Sequence, residues 1–317
     1  MKHYKRTIGL VAILVFLSAM VMAQDADVKK SGKNAGKKAK AKTPAVSLES
    51  VGKMHVYKKV GEIELKLYVV NPADWKADDK RPAIVFYHGG GFVGGSPNQF
   101  AEHAKYLALR GMVAVLVQYR FIAKKPAMIL PIICIEDAKS AMRWVRGHAA
   151  ELGIDSNRIA SGGGSAGGYL AAFIGMIEGM DDSQDDIKIS AKSNAMVLFN
   201  PLIDKEWGAF KFDTGLAKSK DFVPSENIRP DNPPAIIFFG SEDKLGRNVN
   251  DFKAGMEKVG GRCEVRMYEG QGHSFFNFGD GSNKYYYDTL KEADKFLASL
   301  GWLRGEPTLK EEETKQK

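Results

Sequence analysis

The 317-residue chain contains only two cysteines, Cys134 and Cys263, which is few for a protein of an oxidising compartment. No local spacing pairs them, so we expect two buried thiols, and a single disulfide is the alternative. The sequence also lacks a Cys/His cluster with zinc spacing and an H-E-x-x-H segment. It therefore predicts no metal site.

Long hydrophobic runs are scarce as well. Only Ile8–Met22 approaches the length of a membrane helix, and it is too short for a comfortable span. This run follows a basic N-terminus and ends at Ala23 among small or aliphatic residues, which is typical of a secretory signal. We expect residues 1–23 to be a signal peptide cut after Ala23, giving a secreted or periplasmic protein with no stable membrane span. An uncleaved anchor is the alternative.

The sequence beyond residue 44 has no charge excess of either sign. Residues 1–44 carry ten Lys or Arg and two Asp, a net +8 that equals the charge of the whole chain. Residues 24–47 are rich in lysine and lack apolar periodicity, so they should form a disordered linker. Because the rest is neutral, we expect no nucleic-acid partner. The linker would instead associate electrostatically with an anionic envelope surface or polysaccharide. An envelope-anchored adhesion protein is an alternative interpretation that only this basic segment suggests.

Residues 48–304 are predicted to form one α/β domain, followed by a frayed charged tail at 305–317. Short continuous apolar runs are typical of strands buried on both faces, and here they alternate with amphipathic helical segments. This order predicts a mostly parallel central sheet with helices on both faces, and a hairpin over 54–70 adds antiparallel strands at its N-terminal edge. The predicted strands include 83–87, 112–118, 158–160, 195–199, 235–239 and 263–268, and the helices 99–110, 135–150, 247–259 and 285–300.

A glycine-rich segment, Gly163–Gly167, matches the pattern G-x-S-x-G around Ser165. It lies between a predicted strand and a helical pattern. A nucleophilic serine at such a sharp turn needs neighbours that are nearly bare of side chain. We interpret Ser165 as the candidate nucleophile; a glycine-rich turn that merely packs is the alternative.

A second glycine-rich segment, His88–Gly91, follows the predicted strand 83–87. Acyl transfer passes through a tetrahedral oxyanion, which needs backbone N–H donors. We assign the oxyanion hole to Gly90, Gly91 and Ala166, the residue after the nucleophile. A phosphate-cradling loop is disfavoured because no G-K-[ST] follows. His88 is expected to hold this loop by hydrogen bonding.

The remaining candidates lie after late strands. Asp243 follows the strand 235–239 and is preferred to Glu242 because it lies further past the strand end; Asp204 is its main rival. His273 is the one histidine in a glycine-rich loop that follows a late strand downstream of an acid. We predict that Asp243 orients His273, which acts as the general base.

The order Ser165, Asp243, His273 is the nucleophile–acid–base order of the α/β-hydrolase arrangement. The chain resembles the HGGG-containing esterases of that fold, the hormone-sensitive-lipase-like and acetylesterase-like group, from about Lys53 to Leu303. This resemblance implies hydrolysis of carboxylic esters by a catalytic triad, without a cofactor. The motifs that carry it are HGGGF (88–92), QYR (118–120), IEDAKSAMRWVR (135–146), GIDSNRIASGGGSAGG (153–168), GSEDKL (240–245) and GHSFF (272–276).

The substrate is less defined. The sequence before the hairpin lacks the helical pattern of a large cap, and residues 205–229 form either a small aromatic lid or a loop packed on the core. A small cap favours short acyl groups, such as acetyl, on a small ester or an acylated carbohydrate. A prolyl-oligopeptidase-type serine peptidase and a non-catalytic ligand-binding protein of the same fold are the alternatives. The possible lid aromatics are Trp207, Phe210, Phe212 and Phe222, and the family's proline-rich wall is reduced here to Pro126 and Pro131.

Overall fold

The structure is a computed structural model that describes residues 47–122, 130–204, 219–279 and 282–310. The expected signal peptide and, apart from residue 47, the Lys-rich linker lie outside these ranges. Within the ranges, no helix combines the length and apolar character needed to cross a membrane.

The central element is an eight-stranded sheet in the order β1-β2-β4-β3-β5-β6-β7-β8. β1 pairs antiparallel with β2, β2 pairs antiparallel with β4, and all other pairs are parallel. The predicted α/β-hydrolase fold, a mostly parallel sheet with a hairpin at its N-terminal edge, is confirmed. The strands are β1 (Lys53–Val60), β2 (Ile63–Val70), β3 (Arg81–Tyr87), β4 (Val113–Val117), β5 (Ile154–Gly164), β6 (Ala195–Phe199), β7 (Ala235–Gly240) and β8 (Cys263–Tyr268); the helices are α1 (Ala101–Leu109), α2 (Ile132–Gly147), α3 (Ala166–Met176), α4 (Val249–Lys258) and α5 (Lys284–Ser299).

Hydrophobic packing covers both faces of this sheet. In β3, Val85 and Tyr87 join a cluster with α2, α3 and α4, whereas Ile84 and Phe86 join a second cluster with α1 and α5. Successive side chains of a strand point to opposite faces, so a strand between two helical layers must be apolar at every position. Burying each large side chain stabilises the fold by about 1.5–3 kcal/mol.

Strand β5 is longer than its apolar run indicates. The sequence predicts a strand over 158–160, but β5 spans Ile154–Gly164 and its last three residues are glycines. All three glycines pair with β6, and Gly162 and Gly163 also pair with β3. A Cβ at Gly162 would lie 2.7 Å from the Phe86 ring, so the strand needs a residue without a side chain at this position.

The ends of two predicted elements also differ. Helix α2 begins at Ile132 and ends at Gly147, so His148 follows the helix and its Nδ1 lies 2.8 Å from the Trp144 carbonyl oxygen. The start of the predicted frayed tail is bound to α1 and the residue that follows it. Arg110 donates to the Gly305 carbonyl, and the Thr308 amide donates to the Tyr106 hydroxyl.

A buried ion cluster connects the hairpin to α2. Asp137 is fully buried and accepts hydrogen bonds from the backbone N–H and the guanidinium of Arg120 at 2.7–2.9 Å. Lys58 of β1 lies 2.9 Å from the same carboxylate. Because these charges are paired, Asp137 tolerates burial and fixes the segment that follows β4.

Both cysteines are free and buried, in agreement with the expectation of two buried thiols. Burial raises the pKa of the Cys134 thiol to about 12 and that of Cys263 to about 12. Neither thiol is therefore ionised near neutral pH.

Candidate active site

Ser165 occupies the turn between β5 and α3 in a conformation that most residues avoid, with φ of 54° and ψ of −117°. The residues two positions before and two positions after it must be glycines. A Cβ at Gly163 would lie 2.3 Å from the Gly167 carbonyl oxygen, and a Cβ at Gly167 would lie 1.9 Å from that of Tyr87. The Ser165 N–H donates to the Phe199 carbonyl at 2.9 Å, which fixes the turn against β6. The strand and helix therefore cross closely enough to hold the hydroxyl clear of its own backbone.

His273 contacts both Ser165 and Asp243. Its Nε2 lies 2.9 Å from Ser165 Oγ, and its Nδ1 lies 2.7 Å from Asp243 Oδ2. The three residues follow β5, β7 and β8, whose carboxyl ends share one edge of the sheet. The Asp243 side chain is 4% exposed and that of His273 is 37% exposed. The carboxylate is thus shielded, while the imidazole borders the open site.

Asn200 braces the acid end of this arrangement and was missed by the sequence analysis. Its Nδ2 donates to Asp243 Oδ2 at 3.0 Å, and its Oδ1 accepts from the Ser274 N–H at 3.2 Å. It follows β6 in the left-handed region, with φ of 44°. The available signal was an asparagine directly before Pro201 at a strand end, since asparagine tolerates this backbone conformation better than most residues.

The other candidate acids lie elsewhere. Asp204 accepts a hydrogen bond from Asn248 Nδ2 at 2.7 Å. Glu242 is exposed, and its backbone N–H donates to the Gln271 carbonyl. Asp243 accepts a third hydrogen bond, from the Leu245 N–H to Oδ1 at 3.0 Å, so its carboxylate is fixed on both oxygens.

The glycine loop after β3 lies directly beside the serine turn. A Cβ at Gly89 would be 3.3 Å from Ser165 Cβ. Gly90 and Gly91 have φ of 125° and 63° and are exposed. Among the described residues, no backbone or side-chain acceptor takes their amide protons. Ala166 opens α3 directly after Ser165, so the serine lies between the start of α3 and the loop that carries Gly90 and Gly91.

His88 supports this loop, as the sequence predicts. The ring is buried, with Nδ1 2.8 Å from the Gly89 carbonyl oxygen. It stacks on Tyr119 at a centroid distance of 4.3 Å, and the Tyr119 hydroxyl donates to the His88 carbonyl at 2.6 Å. Burial lowers the pKa of His88 to about 4, so the ring stays neutral at physiological pH.

A core aromatic follows the glycine loop, and another follows the serine turn. Phe92 and Tyr169 are buried and meet edge to face at 5.6 Å. The Tyr169 hydroxyl donates to the Phe222 carbonyl at 2.9 Å. Phe222 is 1% exposed and packs in the core rather than in a lid. The other three proposed lid aromatics, Trp207, Phe210 and Phe212, lie outside the described residues, as does Pro126.

Metal ligands are not grouped in this part of the chain: the four described ranges contain no set of three or more His, Cys, Asp or Glu side chains placed to hold a metal ion.

Comparison with known proteins relates this fold and site to esterases. Residues 69–212 match the family described as BD-FAE. Carboxylesterase NlhH of Mycobacterium tuberculosis is 38% identical over 89 residues, which are 28% of this chain and 27% of that protein. The match to this curated relative thus spans about a quarter of its length.

Two solved structures match across nearly their whole length. Thermogutta terrifontis esterase 2 phosphorylated by paraoxon is 43% identical, with a TM-score of 0.75, and the match covers 81% of this chain and 96% of that one. The same esterase with propionate bound is 42% identical, with a TM-score of 0.75 and coverage of 81% and 97%.

The fold and the convergence of a serine, a histidine and an aspartate at the sheet edge define an α/β-hydrolase. The near-complete coverage of a 43% identical esterase narrows the assignment further. The chain belongs to the serine esterases of this fold, in the hormone-sensitive-lipase-like group, which are carboxylic ester hydrolases.

Proposed function

We propose that this chain is a secreted serine carboxylesterase that hydrolyses short-chain acyl esters through an acyl-enzyme. The observation that carries the proposal is the unbroken contact from Ser165 Oγ through His273 to Asp243, beside a glycine loop with available amides. Each distance is within the range over which a base can take a proton from a nucleophile.

In the proposed reaction, His273 Nε2 takes the proton of Ser165 as Oγ attacks the ester carbonyl carbon. Asp243 holds Nδ1 protonated and stabilises the imidazolium, while Asn200 and the Leu245 amide keep the carboxylate in place. His273 then returns the proton to the departing alcohol. Water, activated by the same imidazole, cleaves the acyl-enzyme and releases the acid.

The negative charge of the tetrahedral intermediate falls on the former carbonyl oxygen. In this proposal the amides of Gly90, Gly91 and Ala166 donate hydrogen bonds to it. The loop that carries the two glycines lies against Ser165 at Gly89, and Ala166 follows the serine in the chain. Loss of one such donor in other serine hydrolases costs about 3–4 kcal/mol of transition-state stabilisation. The glycines matter here because their positive φ values are accessible without a Cβ penalty.

In this proposal the preferred substrates are esters of short acyl groups, acetyl above all, and the natural substrate is an acylated carbohydrate. A related esterase was solved with propionate bound, which supports an acyl pocket of this size. Phe92, next to the glycine loop, and Tyr169, one helical turn after Ser165, are buried and in contact, which supports a small acyl pocket. Secretion rests on the basic and apolar N-terminus of residues 1–23.

The test of the nucleophile is Ser165→Ala assayed on p-nitrophenyl acetate, together with labelling by a fluorophosphonate. We expect turnover to fall by about 10⁵-fold or more and labelling to vanish, as for removal of a triad nucleophile. Wild-type turnover in the variant, or labelling at another residue, would exclude Ser165 from this role.

Asp243→Asn tests the acid, with its exposed neighbour Glu242→Gln as the matched control. Loss of the carboxylate leaves His273 without its orienting partner, so kcat should fall by about 10³–10⁴-fold while the control keeps its rate.

The rates of the wild-type enzyme on acetate, butyrate and octanoate esters test the size of the acyl pocket. A preference for octanoate would contradict a short-chain site, and release of acetate from acetylated xylan tests the carbohydrate source.

A further inference from the structure

Gln99 connects two loops of the site that are distant in sequence. It lies in the short turn Pro97–Phe100, ahead of α1. The Gly89 N–H donates to Gln99 Oε1 at 2.6 Å, and Gln99 Nε2 donates to Asn277 Oδ1 at 2.9 Å. Asn277 Nδ2 in turn donates to the Ser274 carbonyl at 3.0 Å. Three hydrogen bonds thus join the glycine loop His88–Gly91, which we call the oxyanion loop, to Ser274, the residue after His273.

The chemistry of the two ends fixes the order of donors and acceptors. Gly89 offers a backbone N–H, and Ser274 offers a backbone carbonyl. Each side chain between them must therefore accept on one side and donate on the other. A primary amide does both, whereas a carboxylate only accepts and a hydrocarbon does neither. Gln99 and Asn277 in succession meet this requirement.

The same amide pair also lies against the nucleophile turn. A Cβ at Gly164 would be 3.4 Å from Gln99 Nε2 and 2.6 Å from the Phe276 ring. Phe100 and Phe276, which follow Gln99 and precede Asn277, are buried and stacked at 5.9 Å. Hydrogen bonds beside such apolar rings are stronger than in water, so the pair is held in one arrangement.

We propose that Gln99 and Asn277 are positioning residues that set the distance between the oxyanion loop and His273. The proposal rests on the esterase function above. Productive attack needs the carbonyl oxygen at the loop and the proton at His273 simultaneously. A shift of about 1 Å between them is enough to slow such reactions by about 100-fold. The pair acts through Gly89 and Ser274 and performs no proton transfer itself.

The test is a double-mutant cycle of Gln99→Met and Asn277→Leu, which remove the polar atoms while keeping similar volume. Each single variant should lower kcat on p-nitrophenyl acetate by about 10- to 100-fold, with KM within about threefold of wild type. Because one chain of bonds is broken in all cases, the double variant should be no slower than the slower single one. Gln184→Met, at an exposed glutamine in a distant loop, is the matched control and should keep the wild-type kcat.

Gln99→Glu extends the test if a variant is poorly folded. It keeps the acceptor for the Gly89 N–H, so it should have a kcat between those of wild type and Gln99→Met. The labelling rate of Ser165 by a fluorophosphonate should follow the same order, since phosphonylation uses the same loop and histidine.

The outcomes separate the two proposals. An active wild type whose folded Gln99→Met variant keeps its kcat, or strictly multiplicative losses in the cycle, would overturn the positioning role alone. A wild type that hydrolyses no ester would contradict the proposed function, and the labelling rates would still decide whether the amide pair positions the loops.

Discussion

The serine side and the histidine side of the site are built by different means. Around Ser165, geometry comes from backbone crossing backbone, and glycines are required because any Cβ would overlap a carbonyl group. Around His273, geometry comes from side-chain amides and carboxylates: Asn200, Gln99, Asn277 and Asp243. The first is fixed by shape and the second by hydrogen-bond direction. The two sides should therefore fail in different ways when altered.

The largest effect should come from Gly167→Ala on the serine side. The new methyl group would lie 1.9 Å from the Tyr87 carbonyl oxygen, so α3 must move away from β3. Overpacking of cores costs about 1–3 kcal/mol, and a clash with backbone should reach or exceed the top of that range. Urea denaturation should show this loss in the free energy of unfolding, together with loss of esterase activity.

Gly147→Ala is the matched control for this change. Its methyl group would meet only the flexible end of Ile189, at 3.2 Å, in a helix that favours alanine. A Gly167→Ala variant as stable and active as this control would refute the role of close backbone crossing.

The side of the site around His273 should lose stability in acid because of a different histidine, His103 in α1. This fully buried ring lies among Phe100, Phe276 and other aromatic rings, and neither ring nitrogen has a hydrogen-bond partner among the described residues. Burial lowers its pKa to about 3. The unfolded chain binds a proton near the ordinary pKa of about 6.5. Stability is therefore lost as pH falls below 6.5, by about 2 kcal/mol at pH 5.

His103→Phe should remove that loss. The variant should gain free energy of unfolding relative to wild type at pH 5 by about 2 kcal/mol more than at pH 8. Urea denaturation of both proteins at pH 5 and at pH 8 gives the four free energies of unfolding that this comparison needs. An equal difference at both would mean that His103 does not titrate between the folded and unfolded states.

The smallest effect should come from Asn200→Gly. Glycine accepts the left-handed backbone at this position, so only the two side-chain hydrogen bonds are lost. We expect kcat to fall by only about 10-fold, because Asp243 keeps its bond from the Leu245 amide. The free energy of unfolding should fall by about 1–2 kcal/mol, because the Ser274 N–H loses its acceptor.

Asn200→Asp sharpens that result. It keeps an acceptor for the Ser274 amide but sets a second carboxylate against Asp243, which raises the pKa of the pair. It should be slower than Asn200→Gly, and most clearly at low pH. An Asn200→Gly variant with wild-type kcat would limit the bracing role to structure.

The serine side could be predicted well from the sequence because its residues are close together in the chain and form short motifs. The G-x-S-x-G and HGGG segments each lie at a strand end, and the mostly parallel sheet followed from the apolar runs that alternate with helical segments. The histidine side could be predicted only in part. Asp243 and His273 follow strands that the pattern identified, but Asn200, Gln99 and Asn277 act through contacts between residues far apart in the chain. An amide on a loop has no periodic signal, so only the folded geometry shows its partner.

Helix α3 has one further property: all eleven of its residues, Ala166–Met176, are buried. A helix with no face toward solvent does not fray, so the amide protons beyond its first turn should exchange with deuterium only when the whole domain opens. Many enzymes place their reactive segments in regions that open locally. Here the segment behind Ser165 belongs to the slowest-exchanging part of the protein. On heating, the catalytic centre should therefore stay assembled until the cooperative melting of the domain itself.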